Sequence, residues 1–233
     1  MGRRGKRYLL LKKKIDKNKL YIPIDALKLV KETSNCKFEE SVEAAICLNI
    51  KPKTKGERVR GTVILPQGVG KNIKVAVFAE GDEAELAKEG GADYVNGEEL
   101  AKRIEAGWLE FDAVVSTPGM MRVVAKLGRI LGPKGLMPSP KVGTVSDDPA
   151  RVVKELKKGK IEYRSDATGV IHAPLGRISF NEEALLDNLK ALLKSLIEIK
   201  PSTAKGRYIK GISLCSTMSP GIGVNVEKAL EIL

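Results

Sequence analysis

Glu39-Glu40-Ser41-Val42-Glu43-Ala44-Ala45-Ile46-Cys47-Leu48-Asn49-Ile50 alternates along its whole length. Val42, Ala44, Ile46, Leu48 and Ile50 fall on one side and Ser41, Glu43, Ala45, Cys47 and Asn49 on the other. That is a half-exposed strand of a mainly antiparallel sheet with one covered face. From Ile73 to Phe78 the pattern changes to a nearly continuous apolar run, as in a parallel strand buried on both faces. At Lys160 the alternation resumes, with Ile161 and Tyr163 set against Glu162 and Arg164. The chain thus opens and closes in one sheet style and spends its middle in another. This predicts an α/β protein of two domains: a discontinuous α+β domain, residues 1–67 and 160–233, interrupted by an inserted layered α/β domain, residues 68–159. Two strands connect the halves and make a natural hinge.

Periodicity and punctuation supply the other elements. A helix is expected over Pro23 to Glu32, where the proline suits a first turn, and a strand over Gly61 to Leu65. Helical stretches over Asp82 to Lys88, Glu98 to Ala106, Met120 to Lys126 and Pro149 to Lys157 alternate with strands near Tyr94 and at Ala113 to Val115. The Gly/Pro-rich segment Leu127 to Val145 is expected to cross the surface of the insert as a long ordered loop. Strands are expected at Val170 to His172 and at Arg177 to Ser179. In the longest helix Leu185, Leu186, Leu189, Leu192, Leu193, Leu196 and Ile197 form one broad stripe that covers the sheet, with Asn181 or Ser179 available as a cap.

Composition narrows the function. Lys and Arg number 41 against 29 acids, a formal charge of +12, while hydrophobic residues make up 42% and charged residues 30%. That is the balance of a folded protein with an affinity for polyanions. The excess is concentrated in Arg3, Arg4, Lys6, Arg7, Lys12, Lys13, Lys14, Lys17 and Lys19, whereas Glu80 to Asp112 is net acidic. No apolar run approaches the roughly 18 residues of a membrane span, and the N-terminus lacks a signal-peptide core, so a cytoplasmic protein is expected. Cys36, Cys47 and Cys215 have no paired spacing and read as reduced, mostly buried small residues. His172 is the only histidine, which leaves no His-rich metal cluster.

Five stretches invite a chemical reading. In Ile209 to Gly223 a short apolar strand breaks after Cys215 into a polar loop closed by Pro220 and Gly221. Ser216, Thr217 and Ser219 offer hydroxyls and Met218 a polarizable thioether, a rim suited to ribose and phosphate. Gly68-Val69-Gly70-Lys71 lacks the spacing of a phosphate loop, and Asn72 stands where a magnesium-binding hydroxyl belongs, so a flexible crossing is favoured. In Leu127 to Val145, Arg129, Lys134 and Lys141 stand where they can face phosphate, though spacing alone leaves open whether the segment binds or only folds. Phe38, beside Lys37, is placed either to pack on a ribose or base or to join the core, and Arg164, Ser165 and Asp166 end a strand in a turn.

Lys37-Phe38-Glu39-Glu40-Ser41-Val42-Glu43, Val59 to Pro66, Leu127 to Val145, Ile171-His172-Ala173-Pro174 and Ser216-Thr217-Met218 closely resemble the bacterial L-one family of large-subunit ribosomal proteins. The resemblance covers essentially the whole chain. It implies a split first domain that binds RNA, an inserted Rossmann-like second domain of three layers, and a place on the mobile stalk beside the tRNA exit site. It further implies large-subunit rRNA, exit-site tRNA and the protein's own operon mRNA as partners. A monomer off the ribosome, no membrane, no cofactor and no catalysis go with it. RNA contacts are implied at Lys37, Phe38 and Ser41, at Arg164, Ser165 and Asp166, and at Ser216, Thr217, Met218 and Ser219. Three positions depart from the family pattern: Ser219 replaces a usual glycine, Ala167 a common lysine, and Gly119 a usual acid. The rivals are a nucleotide-dependent enzyme built on the insert, which lacks an acid, base or metal constellation, and a nonspecific basic RNA chaperone, which leaves the hydroxyl loop unexplained.

Overall fold

The computed structural model describes residues 5–16, 18–50, 58–201, 204 and 206–233. Arg3, Arg4 and Lys17 of the basic arm, and residues 51–57 of the connection after the first strand, lie outside the described residues. In chain order run α1 (Lys6–Lys13), α2 (Pro23–Thr33), β1 (Ser41–Leu48), β2 (Arg60–Ile64), β3 (Val75–Phe78), α3 (Asp82–Glu89), β4 (Tyr94–Val95), α4 (Glu98–Glu105) and β5 (Ala113–Ser116). There follow α5 (Met121–Lys126), α6 (Gly128–Leu131), α7 (Pro149–Lys157), β6 (Lys160–Arg164), β7 (Val170–Arg177), α8 (Glu182–Glu198), β8 (Ile209–Ser216), β9 (Ile222–Val224) and α9 (Val226–Glu231). The chain divides into two compact units, Met1–Gly70 with Ile161–Leu233, and Lys71–Lys160. The first holds antiparallel strands and the second parallel ones.

The first unit is built on a sheet of order β7-β1-β8-β9, with β2 and β6 paired beside it. β1 is central and antiparallel to both neighbours, Ala44 lying opposite Ala173 and Leu214. Its alternating residues Val42, Ala44, Ile46 and Leu48 are all buried, together with Ile171, Leu175, Ile212, Leu214, Ile222 and Val224. The cover is α2, begun by Pro23 and burying Ala26, Leu27 and Val30, and α8. In α8 Leu185, Leu189, Leu192, Leu193 and Leu196 are wholly buried, each contributing about 2 kcal/mol of apolar transfer. Leu186 and Ile197 lie a quarter-turn off that stripe, so the first is half-buried and the second exposed. Asn181 occupies the N-cap position of α8 but makes no side-chain cap, and the Ser179 hydroxyl goes to Glu39 instead.

The two strands expected at Val170 to His172 and at Arg177 to Ser179 are one strand, β7, which ends at Arg177. Pro174 and Gly176 read as breaks, but β7 is the edge of its sheet, where a missing N–H is tolerated, and a bulge opposite Val42 and Glu43 absorbs the irregularity. The three cysteines are half-buried rather than buried: Cys47 and Cys215 share the uncovered side of the alternation with Glu43 and Ala45.

In the second unit β4-β3-β5 form a parallel sheet. The period of two sorts the apolar run of β3 between two faces. Ala76 and Phe78 join Leu100, Ile104, Val124 and Leu131, whereas Val75 and Val77 join Ala87, Val152 and Val153. The Gly/Pro segment is packed into this unit rather than laid across it. Leu127 and Leu131, four apart, carry the apolar stripe of α5 through Gly128 into α6, and Val145 pairs with Ser116 beside β5. The glycine turn before Lys71 is likewise held, with the Gly68 N–H donating to Leu65 O at 3.0 Å and Gly70 in the left-handed region at φ 71°. A Cβ at Gly70 would lie 2.8 Å from the Arg177 side chain, so this turn is a packed crossing and not a loose one.

Candidate nucleic-acid interface

At the Ser41 end of β1 the alternation puts Glu40 in phase with Val42, pointing a carboxylate into the protein. It is fully buried. Four donors converge on it: Ser216 Oγ at 2.6 Å and Met218 N at 3.0 Å on one oxygen, Ser34 Oγ at 2.9 Å and Cys36 N at 3.3 Å on the other. Burial alone would push this carboxyl up, but the hydrogen bonds from Ser216, Met218, Ser34 and Cys36 outweigh it and hold its pKa at about 2. Glu40 therefore ties together the loop after α2 and the loop after β8, which are remote in sequence.

Other bonds complete the clamp. The Ser41 N–H donates to Thr217 Oγ1 at 3.0 Å and the Thr217 N–H to Ser41 O at 3.1 Å, carrying the β1–β8 ladder into the loop. The Ser216 N–H donates to Ser219 Oγ at 3.0 Å, closing the turn. Among the described residues no residue other than glycine has a positive φ, so Ser219 stands in place of a glycine without backbone strain. Arg7 of α1 reaches across to Asn35 Oδ1 at 2.8 Å and Met218 O at 3.0 Å, and Arg177 donates to Ser41 Oγ at 3.0 Å. Cys36 is no activated nucleophile, since burial and the neighbouring Glu40 push its thiol up.

This scaffold presents Phe38 and Met218, 54% and 50% exposed, with Lys37 and Thr217 beside them on the same two loops. Two large apolar side chains exposed on hydrogen-bonded loops give a partner apolar surface to cover. Phe38 is thus outside the core. Ser216, by contrast, is buried with its hydroxyl spent on Glu40, so it positions the loop rather than faces outward.

The third predicted group lies elsewhere. Arg164, Ser165 and Asp166 sit where β6 turns into β7, and Val170 pairs with Cys47, at the opposite end of β1 from Ser41. Six residues of strand, about 20 Å, separate the two ends. Arg164 is exposed, but Ser165 is buried with its Oγ accepting from the Val59 N–H at 3.1 Å. Asp166 Oδ1 accepts from the N–H groups of Thr168 and Val170, both at 2.8 Å, and these bonds hold its carboxyl below the usual range. Asp166→Ala should therefore lower the melting temperature by undoing the turn. Arg164→Ala should leave melting unchanged and weaken RNA binding; the opposite pattern would reverse these roles.

A sequence profile described as the ribosomal protein L1p/L10e family matches residues 30–220. The chain belongs to that family. Its membership makes it a structural, rRNA-binding protein of the large ribosomal subunit. The matched span holds Glu40, which the sequence reading passed over although its in-phase position beside Val42 was the available signal, and it stops just after Ser219. Among the described residues no group of His, Cys, Asp or Glu could hold a metal ion, and no described helix is long and apolar enough to cross a membrane.

Proposed function

We propose that the first unit grips large-subunit rRNA with the rim organised by Glu40, and that this grip anchors the mobile stalk beside the tRNA exit site. The observation that carries the reading is one buried carboxylate holding two distant loops so that Phe38, Lys37, Thr217 and Met218 stand outward together. Phe38 stacks on a base or ribose, Met218 packs beside it, and Thr217, Ser219 and Ser41 serve the 2′-hydroxyls that distinguish RNA from DNA. Ser216 and Ser165 contribute as supports for their loops. The uncovered sheet face running past Glu43, His172 and Ser213 leads from this rim to Arg164, long enough for one RNA helix to touch both ends.

A rim that reads backbone shape accepts any RNA of the same shape. A segment of the protein's own operon mRNA that copies the rRNA site therefore competes for it, and translation is repressed when rRNA is filled. The second unit, a Rossmann-like insert moving on its two crossings, helps the stalk release deacylated tRNA. Off the ribosome the protein works as a cytoplasmic monomer. Thr217→Ala and Met218→Ala should each weaken binding to an rRNA stalk fragment by about 1 to 3 kcal/mol, read by filter binding at fixed salt. If both variants bind as wild type does, the rim is not the site.

A further inference from the structure

From Ala113 to Ser146 the chain contains no Asp or Glu, yet it carries Arg122, Lys126, Arg129, Lys134 and Lys141. All five cations are exposed, and among the described residues none is in an ion pair. Elsewhere in the second unit Lys71, Arg151, Lys157 and Lys160 are each held by an acid, and the exposed Lys74, Lys88, Lys102, Arg103, Lys154 and Lys158 are in no ion pair among the described residues but stand in stretches that carry Asp or Glu. What sets Ala113 to Ser146 apart is its lack of acids, since the preceding stretch, Glu80 to Asp112, is net acidic.

Geometry gathers three of these charges on one face. α5 runs almost without a break into α6, the Leu127 N–H donating to Val124 O at 3.0 Å and the Leu131 N–H to Leu127 O at 2.9 Å. At about 100° per residue, Val124, Leu127 and Leu131 share the side turned into the core, and all three are buried. Arg122, Lys126 and Arg129 then point the opposite way, spread over about 10 Å of helix. The α6 end is closed by Gly135 at φ 73°, with the Leu136 N–H on Leu131 O at 3.0 Å, so Lys134 rides on a fixed turn. A Cβ built at Gly119, Gly128 or Gly135 meets no atom within 4 Å, so a side chain placed there would be unobstructed.

We infer that Arg122, Lys126 and Arg129, continued by Lys134, form a second RNA surface that holds the phosphate backbone of helical RNA without reading its sequence. A row of exposed, unpaired cations with no carboxylate in its own stretch of chain suits such recognition, and it offers no aromatic or amide for base readout. The surface is separate from the rim of the first unit and does not rest on it.

The test uses the full-length chain. Binding to an RNA duplex of arbitrary sequence and to an rRNA stalk fragment is measured across a salt series, with circular dichroism and melting to confirm folding. The triple variant Arg122→Glu, Lys126→Glu, Arg129→Glu is expected to bind the duplex about tenfold or more weakly, with a salt slope shallower by about 2 to 3, and to keep wild-type affinity for the rRNA fragment. Gly119→Asp, for which there is room, is expected to weaken duplex binding in the same sense. Thr217→Ala should do the reverse, sparing the duplex, so the two surfaces fail independently. Unchanged duplex affinity and slope in the folded triple variant, equal losses on both RNAs, or no duplex binding by the wild type at low salt would each overturn the inference.

Discussion

Glu40→Ala is expected to abolish tight binding to the rRNA stalk fragment and to destabilise the first unit by about 3 kcal/mol. Removing the carboxylate strips the acceptor from Ser216 Oγ, Met218 N, Ser34 Oγ and Cys36 N at once, and water does not reach the buried Ser216 hydroxyl to replace it. The loops at Ser34 and at Thr217 then lose their shared anchor, so Phe38 and Met218 no longer stand together. Glu40→Gln keeps one acceptor oxygen but turns an amide toward donors, and it should fall between wild type and alanine. The pH dependence has a fixed sign. A carboxyl with a folded pKa of about 2 against an ordinary 4.5 adds stability that is fully present above about pH 4.5. That stability fades as pH falls toward 2. Urea melts at pH 7 and at steps down to pH 3 should show the gap between wild type and Glu40→Gln narrowing in acid. A pH-independent gap, or undiminished RNA affinity in the alanine variant, would remove Glu40 from its organising role.

The same residue marks the limit of what the sequence makes legible. Val42, Ala44, Ile46 and Leu48 announce their strand because burial on one face imposes a period of two, and Leu185, Leu189, Leu192 and Leu196 announce their helix for the matching reason. Glu40 obeys the same period, but a charge in an apolar register has meaning only when its partners are known, and two of the four lie 176 and 178 positions away. Family resemblance points to Ser216, Thr217 and Met218 but not to the division of labour among them. Burial makes Ser216 a support and leaves Met218 outside, and neither exposure is encoded locally. Leu127 to Val145 was hidden differently: its glycines and prolines outvote two leucines four apart, whose stripe becomes plain only against the core of the second unit.

The buried amide of Asn188 is expected to be nearly as costly to lose. It sits inside the leucine stripe of α8, between Leu185 and Leu192, at a position where an apolar residue would be the default. Its Oδ1 accepts from the Gln67 N–H at 3.0 Å, and its Nδ2 donates to Gly68 O at 2.9 Å and Leu175 O at 2.7 Å. One side chain thus fastens the turn after β2 and the bulged edge strand β7 to the main covering helix. Asn188→Leu conserves size, yet it leaves three backbone groups without their partner, at about 1 to 3 kcal/mol for each that water does not reach. Water can reach the Gln67 end, which is exposed, but not the Leu175 carbonyl, so the net loss should be about 3 kcal/mol in a urea melt. The damage should be local as well as global. Hydrogen exchange at the amides of Gln67 and Gly68 should accelerate by more than the global loss accounts for, because the turn leading toward Lys71 is released first. Removal of the insert for RNA-binding assays should for the same reason begin after Gly70, keeping this turn intact. A leucine variant as stable as wild type, with unchanged exchange at Gln67, would show that the apolar stripe rather than the amide fixes this end of the helix.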